Sequence, residues 1–191
     1  MADTSDPLRG RPRPQETHRI GLSPDDPFAT PVEQRRPDRR FRGRLVAPVA
    51  VWTAGAGDRR AGLAISSMLL AEGDPAEVLG LLDPLSDLFD VLVERGSFLV
   101  HLLEESDQRL ADMFAGAYPV DAFQEFETVD GEFGPVISGA RHTLGCRLLG
   151  SEGAGFQMLV RGRIDALDVV AAGGRPLVRY RGRYRKLSPE A

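Results

Sequence analysis

From Leu45 onward the chain breaks into short apolar runs separated by Gly, Asp and Pro. Leu45–Thr53 reads as a strand, ended by the turn Ala54-Gly55-Ala56-Gly57-Asp58, and Gly62–Ser67 reads as the next strand. Val78–Leu82 and Ser97–Leu103 are further predicted strands. Between them Ser86–Arg95 has helical spacing, with Ser86 placed to cap its free N–H groups. Ser106–Phe114 is a second predicted helix, because Leu110, Met113 and Phe114 fall on one face. After a turn-rich stretch, Thr143–Leu149, Gly155–Ala166 and Leu177–Arg181 read as closing strands. Six or seven strands with two or three short helices predict a mainly β fold, an antiparallel barrel with helices outside it.

Composition divides the chain. Residues 1–40 hold seven of the fourteen prolines, eight Arg and seven acidic residues, with few apolar side chains. Such a segment cannot bury enough surface to offset its ordering entropy, so a disordered tail is expected, with Phe28 able to pack on the domain. Arg35, Arg36, Arg39 and Arg40 form a basic cluster at its end, either a solvated linker or a docking site. The folded domain is expected over 41–187, with 188–191 as a short C-terminal end. Residues 41–175 carry eleven basic and twenty acidic side chains, a net of -9. The last sixteen residues carry Arg179, Arg181, Arg183, Arg185 and Lys186 against Glu190, a net of +4.

The whole-chain charge of -4 gives no support for nucleic-acid binding. A single cysteine, Cys146, excludes an internal disulfide or a multi-cysteine metal site. His18, His101 and His142 lack metal-ligand spacing, so no metal is expected. No apolar run reaches the ~18 residues of a membrane span. The N-terminus has no apolar core of a secretion signal, which makes a cytoplasmic protein the expectation.

Several stretches, in order, resemble the flavin-reductase-like family. They are Val49-Ala50-Val51-Trp52-Thr53 followed by Gly62-Leu63-Ala64-Ile65-Ser66-Ser67-Met68, then Asp74-Pro75 before Val78–Leu82, and Gly96–Leu103 before the helix ending at Ala115. The second half adds Gly134-Pro135-Val136-Ile137-Ser138-Gly139-Ala140, the strand with Cys146-Arg147, Gly162-Arg163-Ile164, and Arg175–Tyr184. The likeness spans roughly residues 41–187. It implies a split barrel of Greek-key type, flavin mononucleotide (FMN) as cofactor, NAD(P)H as co-substrate, and a homodimer. It also implies reduced flavin passed to free flavin or to a partner flavin-dependent monooxygenase.

The resemblance also implies site residues. Ala64, Ile65, Ser66, Ser67 and Met68 would run along the flavin, although two serines can also simply end a strand. Leu82, Asp83 and Ser86 match a phosphate-contacting loop. Ser86 at a helix start suits an anion but serves equally as a plain cap, and the carboxylates Asp83 and Asp87 oppose a dianion. His101 stands where the family usually has Asn; its imidazole could replace one amide contact to the cofactor but not both, or it could be a half-exposed strand histidine. Tyr180, Arg181 and Tyr184 match the closing aromatic motif, and Arg179, Arg181 and Arg183 alternate as residues sharing one strand face would. Gln157 occupies the position of a His that helps place nicotinamide, so it is the catalytic candidate, although an amide cannot titrate. Cys146 reads as a buried inert thiol. Two functions stay open: an FMN-dependent oxidoreductase, or a non-catalytic or specialised binder of flavin, deazaflavin or haem on the same scaffold.

Overall fold

The computed structural model describes residues 36–170 and 174–187. The expected tail therefore lies outside the described residues up to position 35, as do Phe28, His18 and residues 188–191. The last part of that segment is not tail-like, because Pro37–Arg42 is a helix (α1) with proline in its first turn.

The strands are β1 (Ala47–Pro48), β2 (Ala50–Ala56), β3 (Arg59–Ile65), β4 (Met68–Ala71), β5 (Glu77–Leu82), β6 (Ser97–Leu102), β7 (Thr128–Asp130), β8 (Pro135–Ile137), β9 (His142–Ala154), β10 (Gln157–Val169), β11 (Val178–Tyr180) and β12 (Arg183–Arg185). The remaining helices are α2 (Asp87–Arg95), α3 (Gln108–Phe114) and α4 (Ala122–Glu125). Seven strands form one antiparallel sheet in the order β3-β2-β6-β9-β10-β5-β4. A flat sheet of this width would hold its two edges about 29 Å apart, at roughly 4.8 Å per strand gap. Yet its edges, β3 and β4, are joined only by Ser66 and Ser67. Three Cα steps reach about 11 Å at most. The sheet must therefore curl until its edges meet at this corner, giving a half-barrel. Register shifts between Arg161 and Gly162 and between Ile164 and Ala166 bend the long β9–β10 hairpin into the curl.

The inner face is filled. Trp52 stacks on Phe98 with ring centroids 4.6 Å apart. Both rings fit only because strand glycines face them: a Cβ on Gly80 would lie 2.6 Å from Trp52, and one on Gly162 would lie 2.4 Å from Phe98. Val78, Leu82, Val100, Met158 and Val160 complete the cluster, and α2 closes it with Leu88, Phe89, Val91 and Leu92. Ser86 caps α2 by accepting from Phe89 N, and Gly96 ends it in the left-handed conformation. A second cluster on the outer face packs Val49, Val51, Leu110, Ala111 and Phe114 beneath α3 and α4.

The small β1-β11-β12 sheet sits beside this outer cluster through Tyr184 and the adjoining Val49 and Leu177, and Ile137 of β8 joins it. The reading from sequence alone missed β4, because Met68-Leu69-Leu70-Ala71 has no polar alternation. It also broke β9 at Leu149, because Gly150-Ser151-Glu152-Gly153 has loop composition although it pairs with β10.

Candidate functional site

The corner Ser66-Ser67 lies at one rim of the half-barrel. Ser67 donates from Oγ to Leu81 O (2.8 Å), and its own carbonyl accepts from Leu81 N (3.1 Å). These two bonds fasten the seam to β5. Met158 pairs with Leu82, so Gln157 at the start of β10 stands next to the Leu82-Asp83 end of the same strand. The register thus brings together Ser66, Ser67, Met68, Leu82, Asp83, Ser86 and the Gly155-Phe156-Gln157 turn. Ser66, Ser67 and Met68 are half-buried, and Ser66 forms no hydrogen bond among the described residues. Ile65 and Leu82 are buried, with side chains in the inner cluster, so they can meet a ligand only through backbone.

The loop before α2 spends its polar groups on itself. Asp83 Oδ1 accepts from Leu85 N (2.9 Å), and Ser86 Oγ donates to Asp83 O (2.7 Å) while accepting from Phe89 N (3.3 Å). Plain capping is therefore a role Ser86 performs, and the Asp83 carboxylate is turned onto its own loop. Beside it lies a groove of about 360 Å³, lined by Gly62–Leu63, Leu85–Leu88, Met113–Gly116 and Asp121–Phe123. Gly62 opens this groove's floor, since a Cβ there would fall 2.5 Å from Phe114. Of the expected cofactor residues only Ser86 lines it. Asp87 and Asp121 stand on its wall, where each would oppose a phosphate by roughly 1 kcal/mol at surface dielectric.

His101 departs from the expectation. It shares the outer face with Val51 and Ala64, one strand beyond Val51, but is fully buried. Its Nε2 lies 3.2 Å from Pro135 O and 3.3 Å from Thr53 Oγ1, whose hydroxyl donates to Pro135 O at 2.7 Å. A carbonyl only accepts, so Nε2 carries the proton, and Nδ1 is left without a partner. Burial pushes this imidazole down to about 4, against a partial rise from the Pro135 contact. His101 is thus a structural post under the Gly134-Pro135 hairpin. Gly134 permits that close approach, because a Cβ would meet Thr53 O at 2.7 Å.

The closing motif is arranged differently from its sequence alternation. Arg181 (φ 53°) and Gly182 (φ 77°) form a tight turn of the primed type, and Arg179 pairs with Tyr184 while Tyr180 pairs with Arg183. Arg179 and Arg183 therefore occupy opposite faces, and Arg181 belongs to the turn, so the three do not share one face. Tyr184 packs against the outer cluster. Burial raises the Tyr184 hydroxyl's pKa, opposed by Arg179 and supported by Asp112. The turn is tied to α1 by Arg181 N donating to Gly43 O (2.8 Å). At the other end of α1, Arg36 lies over the Phe156 ring, 4.9 Å from its centroid. Helix α1 thus straps the closing hairpin to the β9–β10 turn. Sequence reasoning named the flanking arginines but missed Arg42 and Asp112, whose roles depend on this long-range contact.

Cys146 is buried and its thiol is pushed up to about 12, first by burial and then by Asp165, as suits an inert core residue. Among the described residues no group of three or more His, Cys, Asp or Glu could hold a metal ion, and no helix is long and apolar enough to cross a membrane.

Fold and rim together define a curled antiparallel half-barrel whose polar corner, helix-capping loop and basic strap meet at one end. The family model described as the flavin reductase like domain matches residues 42–188, and the chain belongs to that family. It is 31% identical over 153 residues to the NADH-dependent FMN reductase AsuE2 of Streptomyces nodosus subsp. asukaensis, covering 78% of this chain and 83% of that protein. It is 28% identical over 157 residues to HsaB of Mycobacterium tuberculosis, the reductase subunit of a flavin-dependent monooxygenase, covering 80% and 83%. Among solved structures, the NADH:FAD oxidoreductase SgcE6 of Streptomyces globisporus C-1027, in complex with NAD and FAD fragments, superposes with a TM-score of 0.74 at 25% identity. That match covers 85% of this chain and 98% of that one.

Proposed function

We propose that the chain is a flavin reductase that takes hydride from NADH or NADPH onto FMN and hands the reduced flavin to a partner monooxygenase, acting as a homodimer in the cytoplasm. The observation that carries this reading is the register that gathers the Ser66-Ser67 corner, the Leu82–Ser86 loop and the Gln157 turn at one rim. The corner fits a flat ring with carbonyl edges: Ser66 leaves its donors unused, and the strand ends there, so a ligand can approach the backbone. Relatives named as NADH-dependent FMN reductases and as monooxygenase reductase subunits support the same reading.

When bound, the flavin supplies the redox chemistry; the chain supplies orientation. Ser66 and Ser67 would hold the ring edge, with Met68 and the backbone of Ala64 and Ile65 beneath it. The Gln157 amide would hold the nicotinamide by hydrogen bonding and move no proton. Tyr180, Arg181 and Tyr184 would flank the cofactor from the closing hairpin. The exposed edge strand β4, with Leu69 71% and Leu70 52% exposed, supports a second copy covering this side.

The test is FMN titration by fluorescence quenching. The wild-type chain should bind FMN and oxidise NADH with it, and Ser67→Asp should weaken binding at least tenfold by placing a carboxylate at the ring edge, with the fold intact by circular dichroism. Unchanged affinity in that variant would show the corner is not the site.

A further inference from the structure

The strap concentrates positive charge without matching it. Arg36, Arg39, Arg40, Arg42 and Arg44 lie in or beside α1, and Arg179, Arg181, Arg183, Arg185 and Lys186 in or beside the β11–β12 hairpin. Among the described residues, Arg36 pairs with Asp38, and none of the other nine forms an ion pair. Arg39 and Arg42 are three apart on one helix and so share a face. That face is brought to Arg179 by the Arg181–Gly43 bond and by the pairing of Arg179 with Ala47.

Arg42 is exposed as a whole residue, yet its surroundings disfavour its charge, first by partial loss of hydration at the guanidinium, then by repulsion from Arg179 and from Arg39. Asp112 is the carboxyl that faces Arg179; burial raises its pKa, opposed by Arg179 and by a hydrogen bond with Gln108. Guanidinium groups held together with so little countercharge lack an anion, and their planar forks match phosphate oxygens.

The position of this cluster indicates which phosphate. Helix α1 is six residues long, a rise of about 9 Å. One end meets the Phe156-Gln157 turn through Arg36, and the other is tied to the β11–β12 hairpin that carries Arg179, by Arg181 N donating to Gly43 O. In a reduced dinucleotide the nicotinamide and the diphosphate are separated by one ribose, a span of the same order. The groove beside Ser86, by contrast, presents Asp87 and Asp121.

Resting on the function proposed above, we infer that Arg39, Arg42 and Arg179 form a subsite for the diphosphate of the dinucleotide co-substrate, while Gln157 receives its nicotinamide. Unlike Ser67, these side chains stand outside the corner that would hold the flavin ring.

The first test is calorimetric titration of the full-length chain with inorganic pyrophosphate, for the wild type, Arg42→Gln and Arg179→Gln. The wild type should bind, and each variant should bind about tenfold more weakly or not at all. Arg42→Gln should not melt at a lower temperature, because it relieves repulsion, and Arg179→Gln, which also gives up its place over the Tyr184 ring, should keep the wild-type circular dichroism spectrum. No binding by the wild type, or equal binding by the variants, overturns the subsite.

The second test compares NADH with reduced nicotinamide riboside, which has no phosphate. Each variant should raise KM for NADH about tenfold with kcat within twofold, and leave turnover of the riboside unchanged. An unchanged KM for NADH, an equal loss with the riboside, or a loss of FMN affinity instead overturns the dinucleotide assignment. If the wild type neither binds FMN nor oxidises NADH, the proposed function fails, the dinucleotide assignment falls with it, and the pyrophosphate titration still decides whether the arginines are an anion site.

Discussion

The arginines of the sheet wall and those of the strap are the same residue in opposite circumstances. On the wall they are matched: Arg161 makes a bidentate contact to Glu77, Arg147 reaches Glu132, Arg163 reaches Asp165 and Arg59 reaches Glu94. Arg163 holds the Asp165 carboxyl below its ordinary range by hydrogen bonding. On the strap, Arg42 is repelled by both Arg39 and Arg179, and Arg179 lies over the Tyr184 ring with no ion pair among the described residues. A matched arginine on an exposed wall does little beyond trimming the surface. An unmatched cluster is a cost to the fold, and its retention is understandable where an anion comes and goes. The contrast separates the part of the molecule that holds shape from the part that the proposed function uses.

The largest expected effect comes from breaking the interior that sets both regions in place. Trp52→Ala removes the ring that stacks on Phe98 and fills the space left by Gly80. It should cost about 4 kcal/mol, the usual range for deleting a buried aromatic. Urea unfolding followed by far-UV circular dichroism checks this. A loss below about 1 kcal/mol would mean the half-barrel interior is not close-packed.

Next is pH. The unfolded chain protonates His101 near the ordinary value of 6.5, whereas the folded chain does so only near about 4. The unfolded state therefore binds the proton first as pH falls. The His101 contribution is fully present above pH 6.5 and is lost progressively between 6.5 and 4, the loss reaching about 3 kcal/mol at the lower end. Urea unfolding at pH 7 and pH 5 should differ by about 2 kcal/mol from this group. His101→Gln should flatten that dependence, and an unchanged slope would remove His101 as its source.

The fold is largely legible in the sequence, and for a local reason. Ser86 followed by Leu88, Phe89, Val91 and Leu92 carries both a cap and an apolar face, and the helix forms where that pattern places it. The core strands likewise follow their apolar runs. The edge strand β4 and the far half of β9 do not, because pairing partners rather than composition make them strands. The site was legible only in part. Ser67, Leu82 and Gln157 converge through register, which the family likeness supplied and periodicity could not. His101 looked available because an isolated imidazole in a strand says nothing of what covers it, and here Gly134-Pro135 does. The basic faces were misjudged because a two-residue turn at Arg181-Gly182 inverts the alternation of the flanking residues.

The smallest effect sharpens the wall-and-strap contrast most directly. Glu77→Gln leaves the shape of the side chain but removes the charge that Arg161 grips with three hydrogen bonds of 2.7–3.0 Å. Arg161 is about half exposed, its side chain 52% accessible, so water recovers much of the loss, and the cost should be about 0.5–1 kcal/mol. It should shrink further in 0.5 M salt as screening weakens the pair. Arg42→Gln should behave with the opposite sign: no loss at low salt, and a gain that fades as salt screens the repulsion it removes. Paired thermal melts of the two variants at low and high salt, without phosphate in the buffer, compare them. If both variants lost stability alike at low salt, Arg42 would be a matched wall arginine, and the distinction between the two regions would vanish.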